Sequence, residues 1–154
     1  MLKKKNIGLI AHDACKKAMV GWVSFNAKKI SAHNLICTGT TGKLIQDFYD
    51  EKYPELKVKV KRLKSGPLGG DQQMGALIAG NQIDVLVFLT DPMTMQPHDV
   101  DVKALIRLSS IENIVVACTL SSADFIISSS LFDYPYEAVK SNHEDYAKRI
   151  IDIK

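Results

Sequence analysis

Short β-branched apolar runs alternate with helix-period segments along almost the whole chain, and this alternation is the strongest constraint on the fold. The runs at 6–11 (NIGLIA), 33–37 (HNLIC), 58–63 (VKVKRL), 84–89 (DVLVFL) and 113–118 (NIVVAC) have the length and composition of strands. Between them, 14–27, 42–52, 71–80, 99–110 and 121–130 carry apolar residues at close to 3.6-residue spacing and are expected to be helices. Strand-helix order requires right-handed crossovers, hence a mostly parallel five-stranded sheet with helices on both faces. In such sheets ligands bind at the carboxyl ends of the strands, so functional residues are sought in the strand-to-helix turns. The more polar stretch after residue 130 is expected to add an edge element and a terminal helix. No repeat, low-complexity linker or composition break divides residues 1–154, and 46% hydrophobic residues suffice for the core of a single domain.

Other classes are disfavoured on composition. Cys15, Cys37 and Cys118 are an odd number without CxxC spacing, which argues against a disulfide framework or a four-cysteine zinc site; they are expected to be reduced and mostly buried in a cytoplasmic protein. The stretch MLKKKNIGLIAHD starts positive, but its apolar run is too short for a secretory signal, and no segment has the ~20 apolar residues of a membrane span. A net charge of +3 suits a small anion and gives no sign of nucleic acid.

Four turns are unusually polar for connectors. AHDACKK brings His12 and Asp13 to the end of the first strand, with Lys16 about one helical turn on, although Asp13 could equally be a helix cap. CTGTTGKL supplies Thr38, Gly39, Thr40, Thr41 and Gly42 ahead of a helix, where hydroxyls, close backbone approach and the positive end of the dipole suit a phosphate. It lacks the spacing of a nucleotide P-loop or a dinucleotide fingerprint, which favours a small phosphorylated metabolite. SGPLGGDQQMGAL carries three glycines before Asp71 at a helix start, a position expected to lower the carboxylate's pKa and keep it ionised; capping alone would also explain it. DPMTMQPHDVDVKAL holds Asp91, His98, Asp99 and Asp101. A helix starting near Pro97 would put His98 and Asp101 on one face, for acid/base and oxyanion chemistry or for a metal, though no HxH or HExxH spacing supports the metal.

Taken together, AHDACKK, TGTTG, SGPLGGDQQMGAL and DPMTMQPHDVDVKAL, in this order and at these intervals, resemble the methylglyoxal synthases over about residues 6–130. The resemblance implies a three-layer Rossmann-like α/β domain, a homohexamer, and no cofactor or required metal. It also implies a lyase that converts dihydroxyacetone phosphate to methylglyoxal and inorganic phosphate through an enediolate, with phosphate as product and inhibitor. By the same resemblance Asp71 is the general base, His98 donates to the developing oxyanion and Asp101 supports the charge beside it. His12, Asp13 and Lys16 line the same pocket, with Lys16 attracting phosphate, and Thr38, Thr40, Thr41, Ser65 and Gly66 contact the phosphate and hydroxyl groups. Spacing alone does not choose between Asp71 and Asp101 as the base.

The chain departs from the family pattern at Val100, where proline is common, and at Thr119, where asparagine is common; Arg149 is a candidate phosphate contact in the tail. Two other functions fit the same fold. A non-catalytic ligand-binding regulatory module, similar to the allosteric domain of carbamoyl phosphate synthetase, would need the cradle but not Asp71, His98 and Asp101 together. An isomerase would form the same enediolate and reprotonate it.

Overall fold

A computed structural model describes residues 3–95 and 97–139. Five strands, β1 (Asn6–Ala11), β2 (Asn34–Cys37), β3 (Val60–Arg62), β4 (Val85–Leu89) and β5 (Val115–Ala117), form one sheet in the order β3-β2-β1-β4-β5. Every pairing is parallel, with Ile7 opposite both Leu35 and Val85, so the Rossmann-like α/β expectation holds. The chain builds outward from β1 to β3, then returns to start again at β4. The reversal lies between β1 and β4 and opens a crevice at their carboxyl ends, where a parallel sheet presents its ligand site.

Among the described residues five helices connect the strands, α1 (Lys16–Phe25), α2 (Ala27–Ser31), α3 (Gly39–Lys52), α4 (Gly70–Ala79) and α5 (Asp99–Ile111), and two follow β5, α6 (Leu120–Ser128) and α7 (Ser130–Asp133). Strand side chains alternate between two apolar layers. Ile7, Leu9, Val85, Val87 and Leu89 pack against Met19, Val23, Ile45 and Ala123 on one face. Ile10, Leu86 and Phe88 meet Met74, Ile78 and Leu105 on the other. Both faces are therefore covered, which explains why the central strands read as continuous apolar runs rather than alternating ones.

Three differences from the expected elements go beyond an end shifted by one or two residues. The single helix foreseen over 14–27 is a 3-10 turn (Asp13–Cys15), then α1, then α2 after a break at Asn26, whose side-chain amide donates to the Trp22 carbonyl at 3.0 Å and diverts the backbone. Helix α3 starts at Gly39, three residues ahead of the expected start, so TGTTG forms its first turn instead of a loop before it. After residue 130 the described chain adds α7 and no further strand, and the expected terminal helix and Arg149 lie outside the described residues. Of the cysteines only Cys37 is buried; Cys15 is half-buried, and Cys118 is exposed because it lies one residue beyond the end of edge strand β5.

Close backbone approach fixes the loop between β3 and α4. Gly70 passes so near the preceding segment that an added Cβ would lie 2.0 Å from the Lys64 carbonyl oxygen. Gly69, at φ 97°, makes the left-handed turn that starts α4. Gly70→Ala is expected to lower unfolding free energy by at least ~1–3 kcal/mol, the usual cost of forcing extra atoms into a packed region. A urea denaturation midpoint equal to that of the wild type would contradict this.

Candidate active site

The four polar turns converge on one cavity of about 260 Å³ at the crevice. The turn after β1 contributes His12, Asp13 and Lys16, and the turn after β2 contributes Thr38, Thr40 and Thr41. Ser65, Gly66 and Asp71 come from the loop after β3, and His98 comes from the segment after β4. Ile10, Ala11, Pro67 and Phe88 complete the lining; nothing in their apolar character separated them from core residues in the sequence.

Gly39 and Gly42 were expected to face the ligand, but they do not line the cavity. Each serves packing: a Cβ on Gly39 would sit 2.3 Å from Ser65 Oγ, and one on Gly42 would sit 2.9 Å from Arg62 Cγ. They let the β3 loop lie against the first turn of α3. There the Gly39 N–H donates to the Leu63 and Lys64 carbonyls and the Gly42 N–H to Thr38, leaving Thr40 and Thr41 as first-turn residues whose N–H groups no backbone carbonyl takes. The Thr41 hydroxyl is buried and makes only a long contact, 3.5 Å, to the Ala11 carbonyl. Hydroxyls, free N–H groups and the positive end of a 14-residue helix thus meet at one end of the cavity.

Asp71 is the least usual group. It is 2% exposed, and neither carboxylate oxygen has a hydrogen-bond partner. His98 Nε2 lies 3.6 Å from its Oδ2, beyond hydrogen-bond range. Burial pushes the Asp71 carboxyl above the ordinary carboxylate range, with the charge of Asp101 adding to the rise and the two histidines opposing it. The helix start was expected to lower this pKa; loss of water outweighs the dipole because the carboxylate accepts none of the helix's N–H groups.

Asp101 is also displaced from its expected place. Helix α5 begins at Asp99 with His98 as its cap, at φ −116° and ψ 27°, so His98 is out of helical phase and the 100° step does not apply to it. His98 turns into the cavity toward Asp71, whereas Asp101 lies outside the lining and is felt there only through its charge. On the rim, Lys16 pairs with the exposed Asp13 and holds that carboxyl below its usual range.

His12 occupies the other wall. Its ring meets Phe88 edge-on at 5.4 Å and His98 at 5.6 Å, and its Nδ1 accepts the Asp91 backbone N–H at 3.0 Å. A ring nitrogen that accepts cannot carry the proton, so neutral His12 bears it on Nε2, which is buried and unpartnered. Burial, followed by the neighbouring His98, lowers the His12 pKa and favours that neutral form. Among the described residues no three His, Cys, Asp or Glu side chains come together in a way that could hold a metal ion.

The departures noted in the sequence lie outside this constellation. Val100 is 73% exposed in the first turn of α5 and does not line the cavity. Thr119 caps α6, its hydroxyl accepting the Ser122 N–H at 3.1 Å.

Residues 18–119 match the family described as MGS-like domain. The chain is 46% identical over 155 aligned residues to a methylglyoxal synthase of Maridesulfovibrio salexigens, covering 97% of this chain and 99% of that protein. It is 44% identical to one of Pectobacterium atrosepticum, covering 93% and 90%. The crystal structure of methylglyoxal synthase from Elizabethkingia anophelis NUHP1 superposes with a TM-score of 0.89 at 48% identity, covering 100% of this chain and 97% of that one.

A carboxylate kept out of water costs stability once it is ionised. Because its folded pKa lies above the unfolded value, the folded state holds the Asp71 proton more tightly, and stability is lost as pH rises from the unfolded value through the folded one. Asp71→Asn is therefore expected to be more stable than the wild type at pH 7, by on the order of 1 kcal/mol, with the gap shrinking toward pH 4. Urea denaturation of both proteins at the two pH values checks this; a less stable variant at pH 7 would refute it.

Proposed function

The chain belongs to the methylglyoxal synthase family, and from that premise we propose that its cavity converts dihydroxyacetone phosphate to methylglyoxal and inorganic phosphate through an enediolate. It is a carbon–oxygen lyase. The observation that carries the mechanistic reading is the buried, unpartnered carboxylate of Asp71 facing two histidines and the start of α3 in one cavity.

Asp71 is the general base. It removes a proton from the hydroxymethyl carbon beside the ketone, and the electron pair moves onto the carbonyl oxygen to give the enediolate. Raised basicity suits this step, because an ordinary carboxylate is a poor match for a weakly acidic carbon. His98 and the Nε2–H of His12 donate to the developing oxyanion, in a site where loss of water strengthens each bond. Thr38, Thr40, Thr41, Ser65 and Gly66 hold the phosphate at the α3 start, and Lys16 attracts it from the rim. When the enediolate collapses, the bridging C–O bond breaks and phosphate leaves with its electron pair. In this step the remaining hydroxyl of the enediolate gives its proton to the departing phosphate and becomes the aldehyde carbonyl, while a C=C bond forms to the carbon that phosphate leaves; the proton on Asp71 then adds to that terminal carbon of the resulting enolate, giving methylglyoxal and restoring the carboxylate. Asp101 acts from outside the lining, its negative charge keeping Asp71 proton-avid.

The chain works as one domain spanning residues 1–154, in a homohexamer, in the cytoplasm, without cofactor and with phosphate acting as an inhibitor as well as a product. Among the described residues no helix is long and apolar enough to cross a membrane.

Purified protein incubated with dihydroxyacetone phosphate and no added metal is expected to release methylglyoxal and phosphate in equal amounts. Formation of glyceraldehyde 3-phosphate without phosphate release would establish the isomerase instead, and binding without turnover the regulatory module. Asp71→Asn is expected to lower kcat by ~10²- to 10⁴-fold while KM changes little, the loss usual for a base. Thr41→Val, which keeps the side-chain volume, is expected to raise KM and weaken phosphate inhibition together. An unchanged phosphate inhibition constant would place the phosphate elsewhere.

A further inference from the structure

We propose that Asp91 is a positioning residue for this reaction: its carboxylate builds the turn whose own backbone N–H holds His12 in the tautomer that presents Nε2–H to the substrate. The claim rests on the reading of the cavity given above, and it concerns a residue whose side chain does not line that cavity.

The sequence at this point is Asp91-Pro92-Met93-Thr94, with aspartate first and proline second, the order favoured in a tight turn. Asp91 Oδ1 accepts the Met93 N–H at 3.0 Å, closing an Asx turn, and hydrogen bonds from Thr94 also reach the carboxylate. Pro92 restricts the backbone of Asp91 to extended conformations. Two constraints therefore meet on Asp91, and the group they aim is its own N–H, which donates to His12 Nδ1 at 3.0 Å. Two residues earlier, at the end of β4, the Leu89 carbonyl accepts the His12 backbone N–H, also at 3.0 Å. The chain leaving β4 thus grips His12 by its backbone and by its ring.

The consequence is chemical. With Asp91 N–H pointing at it, Nδ1 must keep its lone pair; a proton there, in the other tautomer or in the imidazolium, would set two donors against each other. The single proton goes to Nε2, which is buried and without a partner. Phe88, edge-on to the imidazole, limits rotation of the ring. His12 is in this way a donor fixed before substrate arrives, and the device that fixes it is a turn with Asp91 at its head.

Histidine-selective ¹⁵N labelling with long-range ¹H–¹⁵N correlation reports the tautomer, with His12→Gln providing the assignment. In the wild type at pH 7 the His12 signal is expected to show the Nε2–H form. Asp91→Ala is expected to give a mixture of tautomers and a kcat about 10- to 100-fold lower on dihydroxyacetone phosphate, the range usual for loss of a group that orients a working histidine, with KM little changed. Asp91→Asn keeps an oxygen that can accept the same N–H bonds and is expected to restore most of kcat and the single tautomer. Pro92→Gly loosens the turn without touching the carboxylate and is expected to shift both readouts in the direction of Asp91→Ala; it carries the test if the alanine variant does not fold.

An Nδ1–H or imidazolium signal in the wild type, an unchanged tautomer and kcat in Asp91→Ala and Pro92→Gly, or equal losses in Asp91→Asn and Asp91→Ala would each overturn the proposal. The last would show that the charge acts and the turn does not. Should the wild type fail to act on dihydroxyacetone phosphate, the proposed function falls, while the tautomer spectra alone still decide whether Asp91 sets the His12 proton.

Discussion

A buried carboxylate with no hydrogen-bond partner among the described residues sets the terms for everything around it. Asp71 sits at the start of α4, where a helix ordinarily offers its free N–H groups to an acid, yet its oxygens accept none. The loop before it is closely packed. Gly69 turns left-handed, Gly70 presses its backbone against Lys64, and Gly66 passes so close that a Cβ there would stand 3.1 Å from Asp71 Oδ2. A side chain at Gly66 would crowd the carboxylate directly, while one at Gly70 would clash with the preceding backbone and one at Gly69 would strain the turn that starts α4. The carboxylate faces a cavity that it shares with His98, whose Nε2 lies 3.6 Å away.

That arrangement separates the work of the four turns. The α3 start offers neutral donors and a dipole for a phosphate, while the histidines after β1 and β4 face each other across 5.6 Å beside the carboxylate. His12 is kept neutral by burial and by the N–H it accepts, so it can donate without carrying a charge that would quench Asp71. The only cation lining the cavity among the described residues, Lys16, is paired with Asp13 at the rim. One small volume thus gathers a proton-avid carboxylate, neutral donors and a helix start, the groups that a reaction removing a proton and expelling a phosphate requires.

Much of this was legible in the sequence because it is written in local patterns. Strand runs and helical periodicity gave the sheet and its crossovers, and the turns bearing His12, Thr40, Asp71 and His98 stood out because connectors seldom carry so many functional groups. What stayed hidden depends on contacts between distant segments. That Gly39 and Gly42 serve packing follows from how β3 lies against α3, and the displacement of Asp101 follows from where α5 begins. The direction of the Asp71 pKa could not be read from its helix position, since burial by four separate turns decides it. Nor does any spacing connect Asp91 to His12, 79 residues away in the chain.

To act as the base, Asp71 must be proton-avid before any substrate binds. Titration of the Asp71 side-chain carboxyl by ¹³C NMR in the ligand-free wild type measures this directly. A midpoint clearly above the ordinary value of 3.8 is predicted; a midpoint at or below it would mean that the carboxylate is solvated or hydrogen-bonded, and would remove the reason for assigning it the base.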